Sequence, residues 1–400
     1  MLRILRAGIV ALLAISANAQ FPLAPADAQK VSDSIDRLAT SRVQRGDQLA
    51  CEVQPVKPFL DFALRFDAGY FVRCPLQQFA GHEAGLVTFL RVRPEHGAAV
   101  VLVERYRIPA MPADLHSKVN GRRFTSLAEF SGAFAIGEGE YAVDLLVADD
   151  HDRIFHKNWK AKAALRGEEK RALVTMKPDS AAGLGVPVWK PDAVEREAGV
   201  RLTVLLDAAP IDPYALKLRA WDRAFLLDSL SSLLHHISPS STRVVAFNLE
   251  QQKEVFRKDG FGRADFRRLA ESLRELELGT VSYRVLNRQQ GWSELLADLV
   301  ARETGAAADG DVVIFLGPNT RIAQKIPEQM VRTGKETGAR LFYFEYFPHP
   351  GAEFPDAIQR LTSMLNGTTL KIHSPGDLAE AIQKMREKLG RSGAEARPPE

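Results

Sequence analysis

RLTVLLDAAPIDP, residues 201–213, is the stretch on which the fold turns. Leu202, Val204, Leu205 and Leu206 form an apolar run that stops at Asp207, and Pro210, Asp212 and Pro213 follow as turn formers. An apolar run of this length suits a central parallel strand, covered by helices on both faces. In open α/β sheets, ligands bind at the carboxyl ends of such strands, near the point where strand order reverses. An aspartate at that end is either a binding group or the relic of one, so the functional reading hangs on Asp207.

Downstream of this strand the pattern alternates. Residues 219–237 carry Ala220, Phe225, Leu226, Leu230, Leu233, Leu234 and Ile237 close to helical spacing. Residues 243–249 (RVVAFNL) read as a strand, 253–257 as a short edge partner, and 264–276 and 292–302 as amphipathic helices. A second buried strand, 311–316 (DVVIFL), is closed by Gly317, Pro318 and Asn319. Residues 322–337 read as a helix ended by Gly338, a suitable C-terminal cap. The strands 340–346 (RLFYFEY) and 370–373 and the helix 375–389 complete the series, leaving 390–400 as a disordered tail. Alternation of this kind predicts an α/β domain over 200–389, with a doubly wound, mostly parallel, Rossmann-like sheet and right-handed crossovers.

The upstream half has a different texture. Residues 29–46 read as a short polar helix or a lead-in. Strands are expected at 59–66, 70–73, 85–92, 99–107, 126–136, 141–148 and 153–165, with a turn at Asp67, Ala68 and Gly69. Gly137, Glu138, Gly139 and Glu140 suit a hairpin turn, since glycine supplies positive φ. Short strands at this spacing predict a β-sandwich-like domain over 47–176. The run Asp149, Asp150, His151, Asp152 reads as a solvated loop in preference to a metal site. Residues 172–176 are a candidate last strand of this domain, and 177–199, rich in Gly and Pro, are the expected linker.

The chain opens with a targeting signal. Arg3 and Arg6 precede an apolar core at 7–15, and Ala17, Asn18 and Ala19 match the small-x-small cleavage pattern. Residues 1–19 are therefore assigned to a signal peptide, and an exported protein, periplasmic or extracellular, is expected. The apolar core is too short to span a bilayer comfortably, and no later run reaches about eighteen apolar residues, so no membrane span is expected after cleavage. The two cysteines, Cys51 and Cys74, favour a disulfide in an oxidising compartment over two buried thiols. The formal charge of +3 is spread over 400 residues with both signs interleaved, which argues against a nucleic-acid partner.

Three places carry a family resemblance: the opening strand with its terminal Asp207, the strand 311–316 with its turn, and the ending. The ending runs Leu361-Thr362-Ser363-Met364-Leu365-Asn366-Gly367, then Leu370-Lys371-Ile372-His373, then Ser374, Asp377-Leu378 and Ala381-Ile382. Over about 200–389 the chain resembles the von Willebrand factor type A domain, in the divergent form of exported bacterial proteins. That family's metal site uses Asp-x-Ser-x-Ser after the first strand, a Thr from a later loop and an Asp after the fourth strand. Together they hold Mg²⁺ or a similar ion through hard oxygen ligands. Asp207 matches the first position, but Ala209 and Ile211 stand where the serines belong. Gly317, Pro318 and Asn319 offer no aspartate, and Thr280 and Ser293 are the candidates for the threonine. The resemblance therefore implies a degenerate site with Asp207 as a vestigial metal ligand, no cofactor and no resident Mg²⁺. Asp212 could restore part of the site through a rearranged loop. The competing role for Asp207 is to cap the following turn or helix by accepting backbone N–H bonds.

The expected function is an exported, non-catalytic binding protein that uses a metal-free type A domain for protein–protein interaction or adhesion. No nucleophile elbow, phosphate loop or zinc motif occurs, and no GxGxxG follows the first strand. His235 and His236 at a helix end and His349 between prolines read as structural. The alternatives are metal-dependent ligand binding through a rearranged site at Asp207, or a hydrolase on the Rossmann-like sheet. Contact candidates are Phe342, Tyr343, Phe344, Tyr346 and Phe347; most of these belong to a core strand, and the end at 346–350 is expected to be exposed.

Overall fold

The structure is a computed structural model. It describes residues 20–40, 48–110, 118–119, 122–123, 126–184, 189, 200–212, 214–278, 290–305, 311–322, 326, 339–347 and 354–395. Residues 1–19, expected to be a signal peptide, together with Thr280, His349 and nearly all of the helix expected over 322–337, lie outside the described residues. Two compact units divide the chain, one within Met1–Asp61, Arg65–Leu165 and Met176–Val186, the other within Phe62–Leu64, Arg166–Thr175 and Pro187–Glu400.

The first unit contains strands β1 (Phe21–Pro22), β2 (Glu52–Leu60), β3 (Phe66–Pro75), β4 (Ala84–Pro94), β5 (Val100–Ile108), β6 (Lys118–Val119), β7 (Arg122–Arg123), β8 (Leu127–Ile136), β9 (Gly139–Asp149), β10 (Ile154–Ala163) and β11 (Ala181–Gly183). They form an antiparallel sheet ordered β1-β5-β4-β9-β10, a second ordered β11-β8-β3-β2, and the β6-β7 pair. The expected β-sandwich-like arrangement is present, and β3 illustrates its cause. Phe66, Ala68, Tyr70, Val72 and Cys74 are buried on one face, alternating with half-buried Asp67, buried Gly69, exposed Phe71 and exposed Arg73. Helix α1 (Pro25–Thr40) lays Val31 and Ile35 on Phe89, Val101, Val103, Leu146 and Ile154 of the five-stranded sheet. It is tied down by buried Arg91, which donates to the Ser32 carbonyl at 3.2 Å and pairs with Asp36 and Asp144 at 2.8 Å each.

Four local expectations are corrected. β3 runs straight through Asp67, Ala68 and Gly69, because the chain reverses earlier, at 61–65. Gly139 does take a positive φ of 145°, but β8 and β9 lie in different sheets, so the residues between them form a crossing and not a hairpin. Residues 172–176 are not a strand, and β11 lies inside the expected linker, pairing with β8.

The second unit holds β12 (Arg201–Asp207), α2 (Ala220–Ile237), β13 (Ser241–Asn248), β14 (Lys253–Asp259), α3 (Asp265–Arg274), α4 (Gly291–Gly305), β15 (Val312–Pro318), β16 (Arg340–Tyr346), α5 (Ala357–Met364), β17 (Thr368–Ile372) and α6 (Pro375–Glu395). Its sheet is ordered β14-β13-β12-β15-β16-β17. The expectation of a doubly wound, Rossmann-like parallel sheet is corrected: the sheet is mixed. β12 pairs in parallel with β13 and β15, β15 with β16 and β16 with β17, whereas β14 runs antiparallel to β13. The cause is the connection. Only 249–252 separate β13 from β14, and a parallel pair needs a crossover of about a dozen residues or more. Leu205, Val245, Phe247, Phe315 and Tyr343 of the sheet pack with Trp292, Leu296 and Leu299 of α4 and Ile358 and Leu361 of α5. The expected disordered tail is also corrected in part, since α6 continues to Glu395. Among the described residues no helix is long and apolar enough to cross a membrane.

Candidate functional site

β12 carries Asp207 to the carboxyl end of the sheet, and the neighbouring backbone decides what surrounds it. Asp207 is 1% exposed, and its Oδ1 has no hydrogen-bond partner. Gly317 on β15 makes this packing possible, because a Cβ there would stand 2.6 Å from the Asp207 Cβ and 3.0 Å from its carbonyl oxygen. Position 317 therefore admits no aspartate on this backbone. Burial first, then the nearby carboxylates of Asp356 and Glu250, push the Asp207 pKa well above the ordinary carboxyl value.

Asp356 is the main neighbour, and it is a cap. Its Oδ1 accepts the Gln359 N–H at 2.9 Å at the start of α5, and its Oδ2 accepts the Thr320 N–H at 2.8 Å. The Tyr343 hydroxyl lies 3.0 Å from the same Oδ2. Burial raises the Asp356 pKa against the pull of these hydrogen bonds. Burial also raises the Tyr343 hydroxyl, with Asp356, Glu345 and Asp207 adding to the effect. Asn319 completes the cluster, donating to Glu345 Oε1 at 2.7 Å and to the Phe354 carbonyl at 3.2 Å.

This cluster does not fit Mg²⁺. Both Asp356 oxygens already accept N–H or O–H groups, the serine positions hold Ala209 and buried Ile211, and Gly317 stands where a further acid would be needed, so the set of oxygen ligands a hard cation requires is not assembled around Asp207. Asp212 is committed elsewhere, accepting the Tyr214 N–H at 3.0 Å and pairing with Arg219 at 2.6 Å. Ser293 turns inward at the head of α4, donating to the Gln290 carbonyl at 2.8 Å. Among the described residues, Asp149, Asp150 and His151 do bring possible ligand atoms within 4.8 Å of one another. Asp149, however, is used by its own turn: Oδ1 accepts the His151 and Arg153 N–H groups, and Oδ2 pairs with the Arg153 guanidinium at 2.7 Å. His236, at the end of α2, is pushed down to about 4 by burial and by the positive groups near it.

The segments 208–212 and 214–219, which follow β12, are fastened at many points. The Ala208 N–H donates to the Phe247 carbonyl at 2.7 Å, and Asn248 Nδ2 to the Ala208 carbonyl at 2.8 Å. Buried Asp222 caps α2 by accepting the Arg219 N–H at 2.8 Å and also takes the Ile211 N–H at 3.3 Å. Arg321 donates to the Ile211 carbonyl at 2.7 Å, Arg223 to the Leu218 carbonyl at 2.6 Å, and the Leu278 N–H to the Leu216 carbonyl at 2.9 Å. Ile211 and Leu218 are buried, yet Tyr214 is 89% exposed, Leu216 73% and Trp221 51%. Phe354, 48% exposed, lies under the Arg321 guanidinium at 5.7 Å.

This is not where exposed aromatics were expected. Tyr346 and Phe347 are 1% and 7% exposed, and 348–350 lie outside the described residues. Asp356, Glu250 and Tyr343 were missed as neighbours of Asp207; an aspartate just before the amphipathic 357–364 was the available cap signal for the first. Tyr214, Leu216 and Trp221 were also missed, although Tyr214 and Leu216 beside Pro213 and Asp212 are out of place for a solvated loop, and Trp221 lies off the apolar positions Phe225, Leu226 and Leu230 of its helix. In the first unit, Cys51 and Cys74 form the expected disulfide. Beside it lies a cavity of about 660 Å³ lined by Leu49, Leu127, Phe155, His156 and Arg73, the last paired with Glu129 at 2.8 Å.

No family model and no curated protein matches the chain. Among solved structures, similarity is found to a Bordetella pertussis protein described as ApaA, at 12% identity and a TM-score of 0.17 over 30% of this chain and 96% of that one. A Bacteroides uniformis beta-glucuronidase is similar at 9% identity and a TM-score of 0.19, over 79% of this chain and 38% of the enzyme. A glycosyl hydrolase family 2 member from Bacteroides cellulosilyticus is similar at 12% identity and a TM-score of 0.19, over 80% and 38%. Likenesses this slight carry no argument about fold or function.

Proposed function

We propose that this is an exported, non-catalytic binding protein whose second unit, a metal-free relative of the von Willebrand factor type A domain, holds a protein partner at the loop after β12. One observation carries the reading: Tyr214 and Leu216 stand in solvent on the segment after β12, and half-exposed Trp221 on the first turn of α2, on a backbone that hydrogen bonds and the buried Ile211 and Leu218 hold in place. Exposed Tyr and Trp on a preorganised backbone are the side chains from which binding hot spots are built, because little ordering entropy remains to be lost on association. The disulfide supports export, since such bonds persist in oxidising compartments. Burial of Asp207 and Asp356 supports a non-catalytic role, because neither carboxyl is open to a substrate.

The test is capture from the exported fraction by the wild-type chain and by a Tyr214→Ala, Trp221→Ala double variant. Tyr214 is exposed, but Trp221 is half-buried against the Phe225 ring at 6.2 Å, so the comparison is made at a temperature at which melts show both chains fully folded. A partner retained by wild type and lost by the variant is the expected result. Equal capture by both chains would refute the placement of the contact.

A further inference from the structure

We propose that the partner segment is acidic: an extended stretch of another protein that sets apolar side chains on Tyr214, Leu216 and Trp221 and carboxylates on Arg223 and Arg321. This rests on the reading above and adds the chemistry of what is bound.

The charge around the exposed loop is uneven. Four cations, Lys217, Arg219, Arg223 and Arg321, stand on or against it, together with two exposed or half-exposed acids, Asp212 and Glu277. Asp212 is spent on Arg219 at 2.6 Å, and Glu277 faces Lys217 across an isolated antiparallel bridge. Asp222 is buried and occupied by the Ile211 and Arg219 N–H groups. Arg223 and Arg321 are left. Among the described residues neither has a carboxylate partner, and both are half-buried with one Nη fixed on a loop carbonyl, Leu218 for Arg223 and Ile211 for Arg321.

That anchoring gives the two arginines their role. A guanidinium offers five N–H donors in a rigid fork, and a single carbonyl uses few of them. The remaining donors are held at the two ends of the exposed segment, and Arg321 is further braced over Phe354. A fixed fork loses less freedom on pairing than a free side chain, and its natural complement is a carboxylate bound through two parallel hydrogen bonds. The exposed apolar side chains supply contact area, and the forks supply sign and register.

A random-peptide library displayed on phage and selected on the full-length chain tests this, with each enriched peptide then synthesised and titrated by fluorescence anisotropy. The expected peptides combine Asp or Glu with Leu, Phe, Tyr or Trp. Their affinity falls about tenfold or more in Trp221→Ala. It also falls in Arg223→Gln and Arg321→Gln, and it weakens with added salt. Because these arginines also hold loop carbonyls, Lys217→Glu serves as a second variant: it reverses an exposed charge without touching an anchor, and it too must weaken binding. Basic or uncharged peptides that still require Trp221 would overturn the acidic partner and leave the binding loop standing. Peptides indifferent to Trp221, or a library with no specific binders, would overturn both. Displacement of the peptides by a single-stranded oligonucleotide would assign the arginines to phosphate and overturn the protein partner.

Discussion

Asp207 is a carboxyl that folding makes less willing to ionise, and this fixes the sign of its effect on stability. Its pKa is raised in the folded state above an unfolded value near 3.8, so the folded chain holds this proton more tightly than the unfolded chain does. Its contribution is therefore most favourable below the ordinary carboxyl range and is lost as pH rises through the raised folded value. Asp207→Asn removes the titration while keeping the shape. The variant is expected to melt higher than wild type at neutral pH, with the gap closing as the solution is acidified into the carboxyl range. Thermal melts of both chains across pH check this, and a gap that widened on acidification would contradict it. Gly317→Ala tests the other half of the contact. The added methyl meets the Asp207 Cβ and carbonyl, and a loss of about 1–3 kcal/mol in urea unfolding is expected for overpacking a site this tight.

At the scale of elements, the mixed sheet depends on how β14 is held at its edge. Glu303 of α4, 2% exposed, reaches Arg243 of β13 at 2.9 Å and Arg257 of β14 at 2.7 Å, stitching two antiparallel strands to one helix. Glu303→Gln keeps the shape and removes the charge. It is expected to cost about 1.5–3 kcal/mol, the range for hydrogen bonds to charged groups, read as a lower urea midpoint at unchanged slope. β12, β13, β15 and β16 were all legible in the sequence, since strands buried on both faces leave apolar runs. The direction of β14 was not, because it is written in the four residues 249–252 and not in the strand itself. The same limit applied to the site. Asp207 ends a visible strand, but Asp356 meets Thr320 across 36 positions and Tyr343 across 13, pairings that no local pattern announces. The exposure of Tyr214, Leu216 and Trp221 was equally hidden, because solvent access belongs to the folded chain.

In the molecule as a whole, each unit has its own core, and the disulfide belongs to the first alone. Replacing both Cys51 and Cys74 by serine is expected to cost that unit about 3 kcal/mol in the chain-entropy account of a crosslink of this span. Hydrogen exchange locates the loss: amides of β2, β3 and β8 lose protection, and those of β12 and β15 keep theirs. Equal losses in both units would mean that the two unfold as one.

That crosslink also bears on how the chain is made. The two cysteines lie 23 residues apart on the neighbouring strands β2 and β3, or at their ends, and they are the only two in the sequence. A chain with two thiols has one internal pairing available, so there is no scrambled isomer to correct. During biosynthesis it needs an oxidant but has no use for a disulfide isomerase, and the link can close as soon as the hairpin formed by β2 and β3 has paired.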